Sequence, residues 1–123
     1  MDYNPMMPIW AQVAASLKKQ IAAGKIPPGE KLPGGRDLAL RYSINPNTAA
    51  RVYQELEREG LCFTRRGMGT FVTEDEERIR LLRNSLAQQA FSDFIASTRD
   101  LGMTVKETAA MLKTFMEEEN VKE

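Results

Sequence analysis

Residues 45–73 read NPNTAARVYQELEREGLCFTRRGMGTFVT, and two different patterns of apolar residues follow one another in this stretch. Its first half predicts a helix over about residues 46–59, because apolar residues recur there at helical spacing and Gly60 follows as a stop signal. Its second half predicts a β-hairpin, because the alternating segments 61–64 and 70–73 flank a loop that contains glycine. The stretch therefore predicts a helix that is followed directly by a β-hairpin.

Two further helices are predicted on the N-terminal side of this stretch. Apolar residues recur every fourth position from Ile9 to Ile21, and Gly24 is placed to end that helix. A short helix is expected over residues 35–42, and the turn of residues 43–46 then leads into the helix of the opening stretch. Three helices and a hairpin in this order predict a winged helix-turn-helix.

The composition changes after the hairpin, where two more helices are predicted. Thr73 and Glu76 have the spacing of a capping box, and so do Thr104 and Glu107. Gly102 separates the two segments. Both segments carry broad apolar faces, and two helices alone cannot bury both faces against each other. Either the N-terminal unit or a second copy of these helices must cover them, and we favour the second copy.

These patterns define the fold class as mainly α with a small β-hairpin. They predict a winged helix-turn-helix over residues 1–73 and a C-terminal helical hairpin, the dimerisation region, over residues 74–123. The net charge is zero, but residues 1–73 hold 10 basic and 6 acidic residues, whereas residues 74–123 hold 7 and 11. The two parts therefore carry +4 and −4, and a basic N-terminal unit favours a nucleic-acid partner.

The composition also argues against an enzyme. The chain has no histidine and one cysteine, Cys62, so a zinc site or a Cys/His nucleophile is not expected. No apolar run is long enough to cross a bilayer, and the opening residues MDYNPMMPIW lack the pattern of a signal peptide. We therefore expect a cytoplasmic protein without membrane contact, metal or cofactor.

The predicted helix of the opening stretch carries a polar side near its start. Asn47, Thr48 and Arg51 lie at positions i, i+1 and i+4, away from the apolar stripe. Asparagine can bond adenine and arginine can bond guanine through paired hydrogen bonds in the major groove. The alternative is a solvated polar face on an ordinary amphipathic helix.

The hairpin loop carries the second candidate site. Arg65 and Arg66 place two permanent cations beside Gly67 and Gly69, which permit close backbone approach. Such arginines can reach phosphates or the minor groove, although a plain surface turn is the alternative. Arg36, at the start of the second helix, can anchor a phosphate or form a surface ion pair.

Six segments of the sequence carry a family resemblance: PIWAQV, IAAGKIPPGEKLP, RDLA, NPNT, YQELEREGL and RGMGTFV. They resemble the GntR family of transcriptional regulators. The resemblance covers about residues 8–73, and its short helical C-terminus is similar to that of the YtrA-like subgroup. One departure is Gly34, where the family usually has a capping serine.

The resemblance implies dimeric operator binding and repression controlled by a ligand. It implies DNA contacts from the start of the second helix, the start of the third helix and the wing. The corresponding positions in this chain are Arg36, Asn45, Asn47, Thr48, Arg51, Arg65, Arg66, Gly67 and Gly69.

Together these features predict a sequence-specific repressor that binds a two-fold site on double-stranded DNA as a homodimer. A small-molecule effector of unknown identity is expected from the resemblance alone. The alternative is a winged-helix module for protein–protein interaction that lacks DNA-binding activity, since a fold does not fix a function.

Overall fold

The computed structural model describes residues 1–122, with side chains up to residue 120. The chain contains five helices and two strands over this range. The elements in chain order are α1 (Ile9–Ala22), α2 (Gly35–Tyr42), α3 (Pro46–Arg58), β1 (Cys62–Arg65), β2 (Gly69–Val72), α4 (Glu76–Asp100) and α5 (Val105–Lys122). None of the described helices is both long enough and apolar enough to cross a membrane.

The chain divides into two compact units, Met1–Leu86 and a second unit that begins at Ala87. In the first unit, α1, α2 and α3 enclose a core that the hairpin closes. The predicted stripes supply this core, except that Ile9 is 44% exposed. The largest fully buried side chains are Val13, Ile21, Leu38, Val52, Leu56 and Val72.

The connection between α2 and α3 explains why the two helices stay distinct. Ser43 ends α2 in the left-handed conformation with φ +53°, and Asn45 is extended before the proline at the start of α3. The residue before a proline disfavours helical geometry, so the chain turns at this point. Gly34, the residue before α2, gives the helix no side-chain cap, as expected for a glycine.

Strand β2 forms backbone hydrogen bonds along both of its edges. Strands β1 and β2 are antiparallel, with Cys62 opposite Val72 and Arg65 opposite Gly69. On its other side β2 bonds to residues 29–32, where the Leu32 N–H donates to the Thr70 carbonyl at 2.8 Å. The hairpin is therefore held by the segment after α1 as well as by its own turn.

The second unit contains the end of α4 and all of α5. Gly102, with φ +79°, ends the turn after α4. The capping box at the start of α5 is confirmed: the Thr104 hydroxyl accepts from the Glu107 N–H, and the Glu107 carboxylate accepts from the Thr104 N–H, both at 3.1 Å.

The capping box predicted at Thr73 and Glu76 is wrong. Helix α4 begins at Glu76, and the side chain of Asp75 accepts hydrogen bonds from the N–H groups of Glu77 and Arg78. Thr73 accepts instead from the Asp75 N–H, in the turn before the helix. Asp75 is the residue directly before the helix, so Asp75 and not Thr73 occupies the capping position.

Candidate nucleic-acid interface

The front of α3 presents two polar side chains to solvent. Asn47 and Arg51 are exposed, whereas Thr48 is half-buried and Ala49 and Val52 are fully buried on the opposite side. The spacing predicted from the sequence therefore separates a polar face from a core face. The exposed groups lie in the first two turns, where the helix dipole is positive.

Asn45 has a structural role at the same end of α3. Its side-chain oxygen accepts a hydrogen bond from the Thr48 N–H at 2.9 Å, which satisfies one of the free N–H groups of the first turn. Only the amide N–H₂ group of Asn45 is left to donate to an external acceptor. The backbone N–H of Thr48 is committed to this cap.

The guanidinium of Arg51 lies over an aromatic ring of another helix. Its central carbon lies 4.3 Å from the ring centroid of Trp10, in the first turn of α1. No sequence pattern connects these two residues, because they are far apart in the chain. Arg51 is thus an ordered cation rather than a free surface side chain.

The wing tip is a tight turn built around a glycine. The Met68 N–H donates to the Arg65 carbonyl at 2.9 Å, and Gly67 has φ +77°. A positive φ at this place strains any residue with a side chain. Arg65 and Arg66 are exposed, and the guanidinium of Arg65 lies 5.4 Å from the Phe63 ring.

Lys31 belongs to the wing, although it is not among the site residues predicted from the sequence. It forms a bridge to Phe71, and its side chain crosses Gly69 so closely that a Cβ there would lie 2.8 Å from Lys31 Cε. The absent side chain of Gly69 therefore leaves room for a third cation beside Arg65 and Arg66. No local sequence signal could find this residue, since pairing across the fold brings it there.

Ion pairing separates the arginines that the sequence singles out from three others among the described side chains. Arg41, Arg58 and Arg80 pair with carboxylates of their own helices. No ion pair within residues 1–120 involves the four arginines singled out from the sequence, which are Arg36, Arg51, Arg65 and Arg66. Their charges remain available for an external anion.

The acidic end of α3 is largely compensated by the protein itself. Glu55 pairs with Arg58 at 2.7 Å, and Glu59 pairs with Lys18 of α1 at 2.6 Å. The exposed Glu57 keeps this end unfavourable for phosphate. Together with the helix dipole, this makes the front of α3 the end that favours an anion.

The candidate residues form two groups. Asn45, Asn47, Thr48 and Arg51 share the front of α3, and Arg65, Arg66, Gly67 and Gly69 share the wing. Arg36 stands apart in the first turn of α2. Among the described side chains, no hydrogen bond or ion pair joins the wing group to the α3 group.

Cys62 is buried in β1, and burial raises the pKa of its thiol to about 12. A thiol with this pKa is protonated at neutral pH and a poor nucleophile. Within the described part of the chain, no three His, Cys, Asp or Glu residues are grouped as metal ligands. The exposed polar groups around α3 and the wing are therefore the chemistry that this unit offers.

The first unit combines three helices with a paired wing, and both the helices and the wing carry arginines without an ion-pair partner. This combination defines a winged helix-turn-helix protein of the DNA-binding class. The family model described as "Bacterial regulatory proteins, gntR family" matches residues 10–72. The chain belongs to the GntR family, and it is a DNA-binding transcriptional regulator.

Two curated relatives extend the similarity beyond the winged unit. The HTH-type transcriptional regulator YhcF of Bacillus subtilis (strain 168) is 37% identical over 116 residues, which are 94% of this chain and 96% of YhcF. The HTH-type transcriptional repressor YtrA of the same organism is 37% identical over 93 residues, which cover 71% and 72% of the two chains. This chain is a member of the YtrA-like subgroup, and its relatives are named as regulators rather than enzymes.

Solved structures agree with this assignment. A GntR family transcriptional regulator from Listeria monocytogenes superposes with a TM-score of 0.82 at 34% identity, over 91% of this chain and 98% of that one. The DNA-binding domain of AraR, in a crystal structure with operator ORX1, has a TM-score of 0.56 at 30% identity, over 59% and 93%. The winged helix-turn-helix prediction is confirmed.

Proposed function

We propose that this protein is a cytoplasmic repressor that binds a two-fold operator as a homodimer. The observation that carries the proposal is the set of arginines on α2, α3 and the wing that lack a carboxylate partner within the described chain. Its relative YtrA is named a transcriptional repressor, which supports the direction of regulation.

On this proposal the front of α3 reads bases in the major groove. Asn47 bonds an adenine edge and Arg51 bonds a guanine edge, since these side chains match the donors and acceptors of those bases. Thr48, which is half-buried, contacts the backbone or a thymine methyl from the same turn. The positive end of the helix dipole faces the DNA, and the end that carries Glu57 faces away.

The remaining candidates contact the sugar–phosphate backbone. Arg36 and the amide of Asn45 bond phosphates beside the groove, and Arg65 and Arg66 follow the backbone or the minor groove. The backbone of the wing at Gly67 and Gly69 approaches the DNA closely. Such contacts fix the register of the protein and add affinity for every sequence.

Dimerisation is assigned to residues 74–123, and within them to the exposed apolar face of the second unit. Phe91 is 65% exposed, Met111 64% and Phe115 57%. These side chains line an apolar groove of about 550 Å³ with Leu101 and Met116. Apolar surface left open in this way favours association, and a two-fold dimer covers equivalent surfaces on both copies. A small-molecule effector of unknown identity would act through this region.

The proposal is tested by selecting bound fragments from random duplex DNA with the full-length protein. We expect an inverted repeat, because a two-fold dimer presents two equivalent reading heads. Asn47→Ala should then weaken binding to the selected duplex by about 1–3 kcal/mol and relax one position of the site. Arg66→Ala should weaken binding to all duplexes alike and flatten the salt dependence.

Arg58→Ala is the matched control for the loss of charge. It also removes an exposed arginine of the first unit, but at the far end of α3, where Glu55 already pairs with it. Its affinity should stay within about twofold of the wild type, in line with the small energy of exposed ion pairs. Absence of any duplex binding at low salt, or an equal loss in Arg58→Ala, would contradict the proposal.

A further inference from the structure

Trp10 of α1 touches the side chain that is proposed to read a base from α3. The ring and the guanidinium of Arg51 lie 4.3 Å apart, centroid to central carbon, and no carboxylate within residues 1–120 pairs with Arg51. Tryptophan has the most strongly attracting aromatic face for a cation. The ring is therefore the group that orders this arginine.

The geometry of the contact leaves the arginine able to bond DNA. A guanidinium carries five N–H donors, and a cation–π contact with one ring does not engage all of them. The donors that do not face the ring stay able to bond a base edge. The same contact restricts the side-chain torsions, so less rotamer freedom is lost when a base binds.

Trp10 is itself held in place by the protein. It is half-buried and packs against the core of the first unit. Two positions later, the side chain of Gln12 donates to the carbonyls of Asn4 and Met7 and accepts from the Asn4 N–H. These bonds fasten the N-terminal arm to the first turn of α1, the turn that carries Trp10.

We infer that Trp10 is a positioning residue for operator recognition, because it holds the Arg51 guanidinium ready to bond one base. The inference rests on the proposed function, in which Arg51 contacts a base edge. Trp10 itself has no DNA contact in this assignment. It acts on specificity through Arg51 and not through the charge of the protein.

The test compares Trp10→Leu, Trp10→Phe and Arg51→Ala in the full-length protein. Each variant is titrated with the duplex selected from the random pool and with duplexes that change one base pair at a time. We expect Trp10→Leu to lose about three- to tenfold in affinity for the selected duplex. The loss should fall on the same base pair at which Arg51→Ala relaxes specificity, and Trp10→Phe should recover most of it because a ring remains.

A double variant separates positioning from a general structural effect. If the ring acts through Arg51, Trp10→Leu in the Arg51→Ala background should cost little further affinity. Losses that add, or a loss that is equal on the selected and on an unrelated duplex, would show a structural role and overturn the inference. A gain in affinity for Trp10→Leu would also overturn it, since the ring would then sequester Arg51.

Fluorescence gives a readout that does not depend on whether Trp10→Leu folds. Trp10 is the only tryptophan of the chain, so tryptophan emission reports on the surroundings of this one ring. We expect Arg51→Ala to change the emission of the free protein and the selected duplex to change that of the wild type. Emission that responds to neither would overturn the inference. If Arg51→Ala binds every duplex like the wild type, the base contact in the proposed function fails first, and the role of Trp10 fails with it.

Discussion

The side-chain oxygen of Asn45 lies 2.9 Å from the backbone nitrogen of Thr48 and caps α3 at the end that faces the proposed major groove. Asn47, two residues further along, is exposed and makes no such bond. Of these two asparagines, Asn45 therefore has a role in folding besides its proposed phosphate contact, whereas Asn47 has only its proposed role in recognition.

Asn45→Ala should lower the free energy of unfolding by about 1 kcal/mol, since it removes the cap of α3. Asn47→Ala should leave that free energy within about 0.5 kcal/mol of the wild type, because it changes an exposed side chain. Urea denaturation of both variants measures the difference. Equal losses of stability would contradict the division of roles.

Lys31→Gln should reduce the salt dependence of DNA binding while leaving the preferred sequence unchanged. If the ammonium beside Gly69 contacts one phosphate, the slope of log K against log salt should fall by about 0.9. The control is Lys25→Gln, an exposed lysine in the loop before the wing segment. A reduction as large in the control would assign the effect to net charge.

Raising the pH above 9 should destabilise the protein, in part through Cys62. Its folded pKa of about 12 exceeds the ordinary value of 9.0, because burial disfavours the thiolate. The unfolded thiol ionises first, so the stability present below pH 9 is lost as the pH rises toward 12. The slope is at most about 1.4 kcal/mol per pH unit for one group.

Cys62→Ala provides the comparison for this alkaline loss. Burial also raises the pKa of Tyr53, so the variant should keep a reduced dependence rather than none. Unfolding free energies at pH 7, 9 and 10.5 measure both proteins. Identical pH profiles would exclude a contribution from the thiol.

Phe115→Asp should convert the proposed dimer into a monomer and weaken binding to an inverted repeat. The side chain is 57% exposed in the apolar groove of the second unit, where a charge would be buried on association. Sedimentation velocity measures the oligomeric state. Leu40→Asp, at a side chain of α2 that is 79% exposed, is the control and should sediment like the wild type. A wild-type monomer would exclude the assignment.

Local patterns in the sequence were sufficient for the helices and the hairpin. The helix predicted over residues 35–42 is α2, and the capping box at Thr104 and Glu107 forms as predicted. Both depend on residues within one or two turns of each other. Spacing and side-chain chemistry therefore decide them without reference to the rest of the chain.

Two kinds of contact could not be predicted from local patterns. In one kind neighbouring side chains compete for the same backbone group, and in the other residues far apart in the chain come together. Thr73 and Asp75 both carry an oxygen near the start of α4, and only the backbone path decides that Asp75 caps it. The contact between Trp10 and Arg51 joins α1 to α3 and has no local signature. Tertiary packing places these groups, so local sequence patterns do not predict their contacts.

The pairing of β2 with residues 29–32 stabilises the wing before any DNA is bound. A two-stranded hairpin alone is only marginally stable in water, but this one has a third backbone segment bonded along its other edge. On the proposed role, the wing enters the complex already rigid, and its conformational entropy is lost during folding rather than at the moment of association. Encounter with a duplex is then a docking of preformed surfaces, which conserves binding free energy for the contacts themselves.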